Sequence, residues 1–329
     1  MNKKLLAIAV AAFIAAPAIA TAQTTLFGQV KYEVGVIDSD VNDERNFVHS
    51  TRGSRLGVRG AEDLGGGMQA IFRLQSGFAA VNTSLAEQGM DWTEEAWVGL
   101  QGGFGRILLG RSDTAVKNAS LPFRAFTDTL ADLNNRPAGW QRAEGIHYVT
   151  PNFSGFTVGL TVEPTGNETD VYYALNAIYK QGPLFVSAAV EASPSDLNPF
   201  GDPTYAVGDI GQDETNYQIG ASYNFGPGDV GLLYQARNDG DDDVFTIPVN
   251  YKVTPNINLR GAVQHVSPDV GESYTNFAVG AQYLFSSRTE AFVNVWVDDT
   301  PDSPSSVRGA TVLNSNDSAQ IGVGLRHSF

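Results

Sequence analysis

The side chains that could do chemistry in this chain separate into groups that make and break bonds and groups that only set a field. The first set is poor. Four histidines, His49, His147, His265 and His327, form no HExxH pattern, and no Asn-His-Ser grouping suggests a hydrolase. There is no cysteine, so disulfides, thiolate zinc sites, Fe–S clusters and cysteine nucleophiles are excluded together. Gly65-Gly66-Gly67 has no helix after it to make a phosphate cradle. No enzyme activity and no cofactor are expected. The second set is richer: Lys31, Arg55, Arg59 and Arg73, joined by Arg106, Arg260 and Arg326, against Asp113, Asp128 and Asp132 within one long segment. Fixed charges of opposite sign facing each other across water orient dipolar solutes and select ions.

The elements that would hold such charges are strands. From Gln23 onward, runs of about ten residues alternate apolar and polar and close on Gly, Pro, Asn or Asp, the period of two that marks a strand with one apolar face. In the first run Leu26, Gly28, Val30, Tyr32, Val34 and Val36 share a face, and Gln29, Lys31 and Glu33 share the other. Sixteen such segments can be counted. Their connections alternate between short ones, such as Leu64 to Gly67, Gly102 to Gly105 and Gly226 to Asp229, and long ones. Aromatic residues of the apolar face (Tyr173, Tyr179, Tyr217, Tyr223, Phe225, Tyr251, Phe277, Tyr283, Phe285) gather toward strand ends. A soluble sandwich would place them mid-strand in its core, whereas the girdles of a transmembrane barrel need them at the edges.

Composition is compatible with this. A formal charge of −15 and a mean hydropathy of −0.14 exclude a bundle of membrane helices, and the acidity excludes a nucleic-acid binder. Residues 1–22 read as a cleaved secretory signal peptide: Lys3 and Lys4, an apolar run from Leu5 to Ala16, and Ala20-Thr21-Ala22 as the cleavage site. The remainder, 23–329, reads as one all-β domain, an antiparallel barrel closed because an open edge would strand backbone groups in hydrocarbon.

At this level the chain resembles the general porins of Gram-negative bacteria, in particular the beta- and gammaproteobacterial type. The resemblance is carried by Ser54-Arg55-Leu56-Gly57-Val58-Arg59-Gly60 with Glu62-Asp63-Leu64-Gly65-Gly66-Gly67, by Glu95-Ala96-Trp97-Val98-Gly99-Leu100, by Gly103-Phe104-Gly105 through Gly110-Arg111, and by Tyr148 to Phe156 and the terminal Phe329. It covers the whole chain after the signal segment. It implies a sixteen-stranded transmembrane barrel with short periplasmic turns and long outer loops, assembled as a homotrimer among outer-membrane lipids and lipopolysaccharide. It further implies passive diffusion of small hydrophilic solutes and a Phe329 read by the barrel-assembly machinery. The chain departs from the family in having Glu94, where Arg often precedes Ala-x-Val-Gly-Leu, and His147, where a lumen Arg is common.

In the resembling family the third outer loop folds inward, and here the segment 112–141 after the fifth strand is long enough to do so. It carries Asp113, Asp128 and Asp132 with Lys117, Arg124 and Arg136. Strand parity places Lys31, Arg55, Arg59 and Arg73 on the water-facing wall, with Arg106, His147, Arg260 and Arg326 as further lumen candidates. An acidic loop facing a basic wall is therefore the expected filter, beside the plainer reading of solvated charges, or of aspartates that merely tie the loop down. Acidic outer loops (Asp38, Asp40, Asp43, Glu44; Asp202, Asp209, Asp213, Glu214; Asp239 and 241–243; Asp298, Asp299, Asp302) could gather cations or bind Ca²⁺ through carboxylate oxygens. No spacing matches an EF-hand, and a solvated rim is the preferred reading. A substrate-selective channel and a surface adhesin or receptor barrel are the alternatives.

Overall fold

The computed structural model describes residues 23–39, 44–78, 92, 94–133, 142–164, 171–193, 214–237, 242–268, 271–297, 299, 306–307, 310–311 and 319–329. The signal segment 1–22 and most of the outer-loop carboxylates lie outside the described residues. Sixteen strand positions follow one another in the sheet. They are β1 (Gln23–Ser39), β2 in two pieces (Glu44–Ser50 and Arg55–Gly65), β3 (Met68–Gly77), β4 (Glu95–Gly102), β5 (Gly105–Asp113), β6 (Arg142–Val149), β7 (Phe156–Pro164) and β8 (Val171–Gln181). They continue as β9 (Leu184–Ser193), β10 (Glu214–Asn224), β11 (Gly228–Arg237), β12 (Asp242–Thr254), β13 (Ile257–Ser267), β14 (Tyr274–Leu284), β15 (Thr289–Val297) and β16 (Ala319–Ser328). Helix α1 (Ala115–Ser120) and a 3₁₀ turn (Leu121–Phe123) lie between β5 and β6.

Each strand pairs antiparallel with its neighbours, and β1 closes the ring by pairing with β16, from Gln29 opposite Ser328 to Val36 opposite Ile321. Closure satisfies every edge, as hydrocarbon demands. At the seam Phe329 and Gly28 exchange both backbone hydrogen bonds, at 3.0 and 3.2 Å, and the Phe329 ring lies where a Cβ on Gly28 would be 2.7 Å from it. At the short-turn end, Gly66 and Gly67 take φ of +62° and +78°, the left-handed pair that a tight hairpin between right-twisted strands requires.

Alternation decides the two faces. On β14, Phe277 and Val279 are exposed outward while Asn276 and Ala278 are buried inward; on β16, Ile321, Val323 and Leu325 face out and Gln320 faces in. Outward aromatics stand near both ends of the strands: Tyr173, Tyr217 and Phe277 toward the long loops, and Tyr223, Tyr251, Tyr283 and Phe285 toward the short turns. His265 and His327 are outward, as parity places them, each bonded to a threonine (Thr275 and Thr289).

The interruption of β2 matters for the lumen. The first part of β1 pairs with Arg55–Ala61, the last part with Glu44–Ser50, and Thr51–Ser54 leave the ladder between them. The Ser54 hydroxyl replaces the missing backbone partner, accepting from the Lys31 N–H at 3.0 Å and lying 3.2 Å from its carbonyl. Arg52 and Gly53 are thereby turned toward the segment that fills the barrel.

Candidate functional site

Thr114 begins the inner segment as the N-cap of α1, its side chain accepting from the Lys117 N–H at 3.1 Å. The helix is short and cannot be stable alone; it is held by the wall. Ala115, Val116 and Ala119 bury against the inward Ala143 of β6, Tyr172 and Ala174 of β8 and Ala189 of β9. Neutral side chains of successive strands reach its backbone. Asn176 donates to the Ala115 carbonyl and Gln218 to that of Val116, each at 2.6 Å, Ser187 donates to that of Ala119 at 2.9 Å, and Thr161 accepts from the Ala115 N–H. Lys117 lies buried with its ammonium 2.6 Å from Asp113; burial pushes it down to about 8, against the pull of that carboxylate.

Phe123 then crosses the lumen and seats in a slot left by two inward glycines: a Cβ on Gly220 would stand 2.4 Å from its ring and one on Gly231 3.0 Å. Beyond it, Phe126, Leu130 and Ala131 pack on Ala262, Ala278 and Trp296 of the opposite wall. Here the ties are ionic. Asp132 pairs with Arg124 at 2.5 Å and with Arg52 at 3.5 Å; Asp128, itself at φ +64°, pairs with Arg55 at 3.4 Å. Arg260 donates to the Ala125 carbonyl and covers the Phe126 ring at 4.8 Å, and Arg326 donates to the Thr127 carbonyl. The Leu130 N–H donates to Glu33 at 3.0 Å, and Glu33 holds Lys31 at 2.7 Å, both side chains wholly buried. Burial works against the charge on Asp128, yet the guanidiniums of Arg55, Arg326, Arg52 and Arg124 outweigh it and hold its carboxyl below the ordinary range.

The structure redistributes the charges expected from sequence. Asp113 is not a loop residue: Ser112 and Asp113 complete β5, with Asp113 opposite Arg142 of β6 and 3.3 Å from it, because the ladder continues past the apolar band. The described inner segment therefore runs over 114–133, and 134–141, with Arg136, lies outside the described residues. Lys31 points inward but not to water, because the loop and Glu33 cover it. Arg260 is likewise covered, and His147 is enclosed by the Gly110 and Ala143 carbonyls and the Thr161 hydroxyl. Inward parity holds for all three; exposure to the pore does not.

The water-facing row is Arg55, Arg59 and Arg73. Arg73 pairs with Glu95 at 3.1 Å, and Arg59 and Arg73 lie 5.1 and 4.7 Å from the Phe27 ring, which fills the space beside Gly57. Arg106 is exposed nearer the short turns, and Arg326 pairs with Glu290 at 3.5 Å. Sequence reasoning missed Glu33, Arg52, Glu95 and Arg142 as partners. For Glu33 the signal was present, since parity put it beside Lys31 on one face.

A closed sixteen-stranded barrel, apolar outside and charged within, with a chain segment laid across its lumen, is a transmembrane channel. The comparisons give the particular kind. The description "Gram-negative porin" matches residues 7–303, and the chain belongs to that family. It is 28% identical to outer membrane porin protein 32 of Delftia acidovorans, over 98% of this chain and 92% of that one. It is 26% identical to the major outer membrane protein P.IB of Neisseria meningitidis serogroup B over the full length of both. An anion-selective porin from Comamonas acidovorans has the same fold, with a TM-score of 0.71 at 24% identity over 94% of this chain and all of that one. The protein is an outer-membrane porin, a water-filled barrel through which small hydrophilic solutes diffuse passively.

Proposed function

We propose that the segment 114–133 constricts the pore and that the constriction prefers anions. One observation carries this: the carboxylates between the inner segment and the basic wall are each matched by a cation, while cations of that wall remain over. Asp128, Asp132, Asp113 and Glu95 each lie within 3.5 Å of an Arg or Lys nitrogen, and Asp132 has two, whereas Arg59 has no ion-pair partner among the described residues. Paired charges cancel beyond a few ångströms, so the field reaching a permeating ion is that of the surplus guanidiniums, and narrow low-dielectric walls focus it. Charge away from the constriction is screened by salt within about 8–10 Å. The zero-current potential across a KCl gradient should have the sign of chloride preference, and Arg59→Glu or Arg73→Glu should move it toward potassium. A potential unmoved by either substitution rejects this filter.

The same reading makes the functional unit a trimer. On the loop half of β3–β6 the outward side chains are Phe72, Leu74, Ala96, Val98, Leu109, Arg111, Glu144 and Ile146, and Arg111 pairs with Glu144 at 3.3 Å. Charge facing lipid costs up to about 2–4 kcal/mol at mid-depth, so this face suits protein better than hydrocarbon. Conductance steps arriving in threes support the trimer, and single steps only count against it.

A further inference from the structure

We infer that Arg106, with the carboxamides of Gln69 and Gln101, forms a second anion site at the periplasmic rim of the pore, an exit station for small oxyanions such as carboxylates and phosphate. It rests on the anion reading above and adds a place to it. Cross-strand register sets the geometry. Arg59 pairs with Arg73; Gln69 lies four residues further along β3, about 13 Å of strand toward the short turns. Gln69 pairs with Gln101, and Gln101 pairs with Arg106. Arg106 is thus the next cation below the constriction on the same wall, and like Arg59 it has no ion-pair partner among the described residues.

A cavity of about 420 Å³ opens there, lined by Arg106, Gln69 and Gln101 and floored by Gly67, Gly102 and Gly105. The floor is open because the turns are glycine. A Cβ on Gly105 would strike the Val149 carbonyl at 2.2 Å, so the residue cannot be replaced without moving the strand. Gln101 donates one amide hydrogen to the Gln69 side-chain carbonyl at 2.5 Å, which fixes its carboxamide between Gln69 and Arg106 in the register. Asp63, opposite Gln69 on the same face, has one carboxylate oxygen occupied by the Gly65 N–H at 2.8 Å. A planar guanidinium with an adjacent amide donor matches the paired oxygens of a carboxylate or phosphate. The cavity faces the periplasmic mouth, so the site is reached first from that side.

Current block by succinate, and separately by inorganic phosphate, tests this in planar bilayers holding a single oriented porin. The chain has no cysteine, so Thr254→Cys in a periplasmic turn and a charged thiol reagent report orientation. Succinate should block at lower concentration from the periplasmic side than from the outer side. Arg106→Gln should raise the periplasmic half-blocking concentration about tenfold, the weight of one charge-assisted contact, and abolish the asymmetry. Gln69→Leu should weaken periplasmic block without altering the zero-current potential. Equal block from both sides in the unsubstituted protein, or asymmetry that survives Arg106→Gln, overturns the exit site. Chloride preference is read separately from the zero-current potential, so failure of the filter and failure of this site are distinguishable.

Discussion

The substitution Glu33→Gln isolates what holds the inner segment against the wall. Glutamine keeps the shape and the oxygen that accepts from Leu130 but removes the charge opposite Lys31. Both members of the pair have no solvent exposure. Breaking a buried pair from one side costs about 3–5 kcal/mol, because it leaves the Lys31 ammonium without its counter-charge. It can be relieved by water, and the part of the structure that excludes water is the stretch 124–133. Its apolar hold is Phe126 and Leu130, 2% and 3% exposed, worth about 1.5–3 kcal/mol each and so about 3–6 kcal/mol together. The wall pairs Asp128–Arg55 and Asp132–Arg52 are long, at 3.4 and 3.5 Å, with partly exposed arginines, and add little per pair; the buried Asp132–Arg124 pair joins two residues of the segment itself. Penalty and hold are therefore of one size, and a residual hold of about 1.4 kcal/mol would leave the segment off the wall about a tenth of the time. The barrel ladders are untouched. Single-channel recording of Glu33→Gln should show excursions to higher conductance, with the denaturant midpoint of the barrel unchanged. The double variant Lys31→Met, Glu33→Gln removes both charges, keeps the oxygen that accepts from Leu130 and should be quiet, since no charge is left buried without its partner. A quiet Glu33→Gln channel, or a double variant as noisy as the single one, refutes the reasoning.

Gly220→Leu would put a side chain where the Phe123 ring lies 2.4 Å from the glycine's Cβ position; the segment must lift, and conductance should rise while anion preference weakens. Lys117 has its pKa lowered to about 8 by burial, so its charge is lost as pH rises through that value. The zero-current potential should drift toward cation preference between about pH 7 and 9, and a drift that persists in Lys117→Met assigns it elsewhere. Asp128 has a depressed pKa, so its tie to Arg55 is complete above the ordinary carboxylate range and is lost as pH falls through the depressed value. Channel noise from this weaker tie, smaller than that of Glu33→Gln, should appear only below about pH 4, and Asp128→Asn should show it at neutral pH. Gly28→Val would force apart the Phe329 ring and the Arg55 carbonyl, 2.7 and 2.5 Å from the added Cβ, and should lower the yield of folded barrel.

The barrel was legible because hydrocarbon imposes a strong rule: along β14 or β16 the outward positions between the strand ends are apolar, and a period of two is visible in any such window. The lumen obeys a weaker rule. Inward positions need only be compatible with water or with whatever covers them, and parity cannot tell Arg59, which faces the pore, from Arg260, which lies under Phe126. What distinguishes them is the seating of 114–133, a contact between residues up to about two hundred positions apart, such as Thr127 and Arg326. Yet that seating leaves a trace in sequence. A water-filled lumen gives no reason for inward residues to be small and apolar, but β6, β8 and β9 carry Ala143, Ala174 and Ala189, β10 and β11 carry Gly220 and Gly231, and β13 and β14 carry Ala262, Ala278 and Gly280. Each of these touches or makes room for the inner segment. The inward alanines and glycines are its footprint, and the inward arginines outside that footprint, on β2, β3 and the turn-proximal end of β5, are the ones left to face the permeating ion.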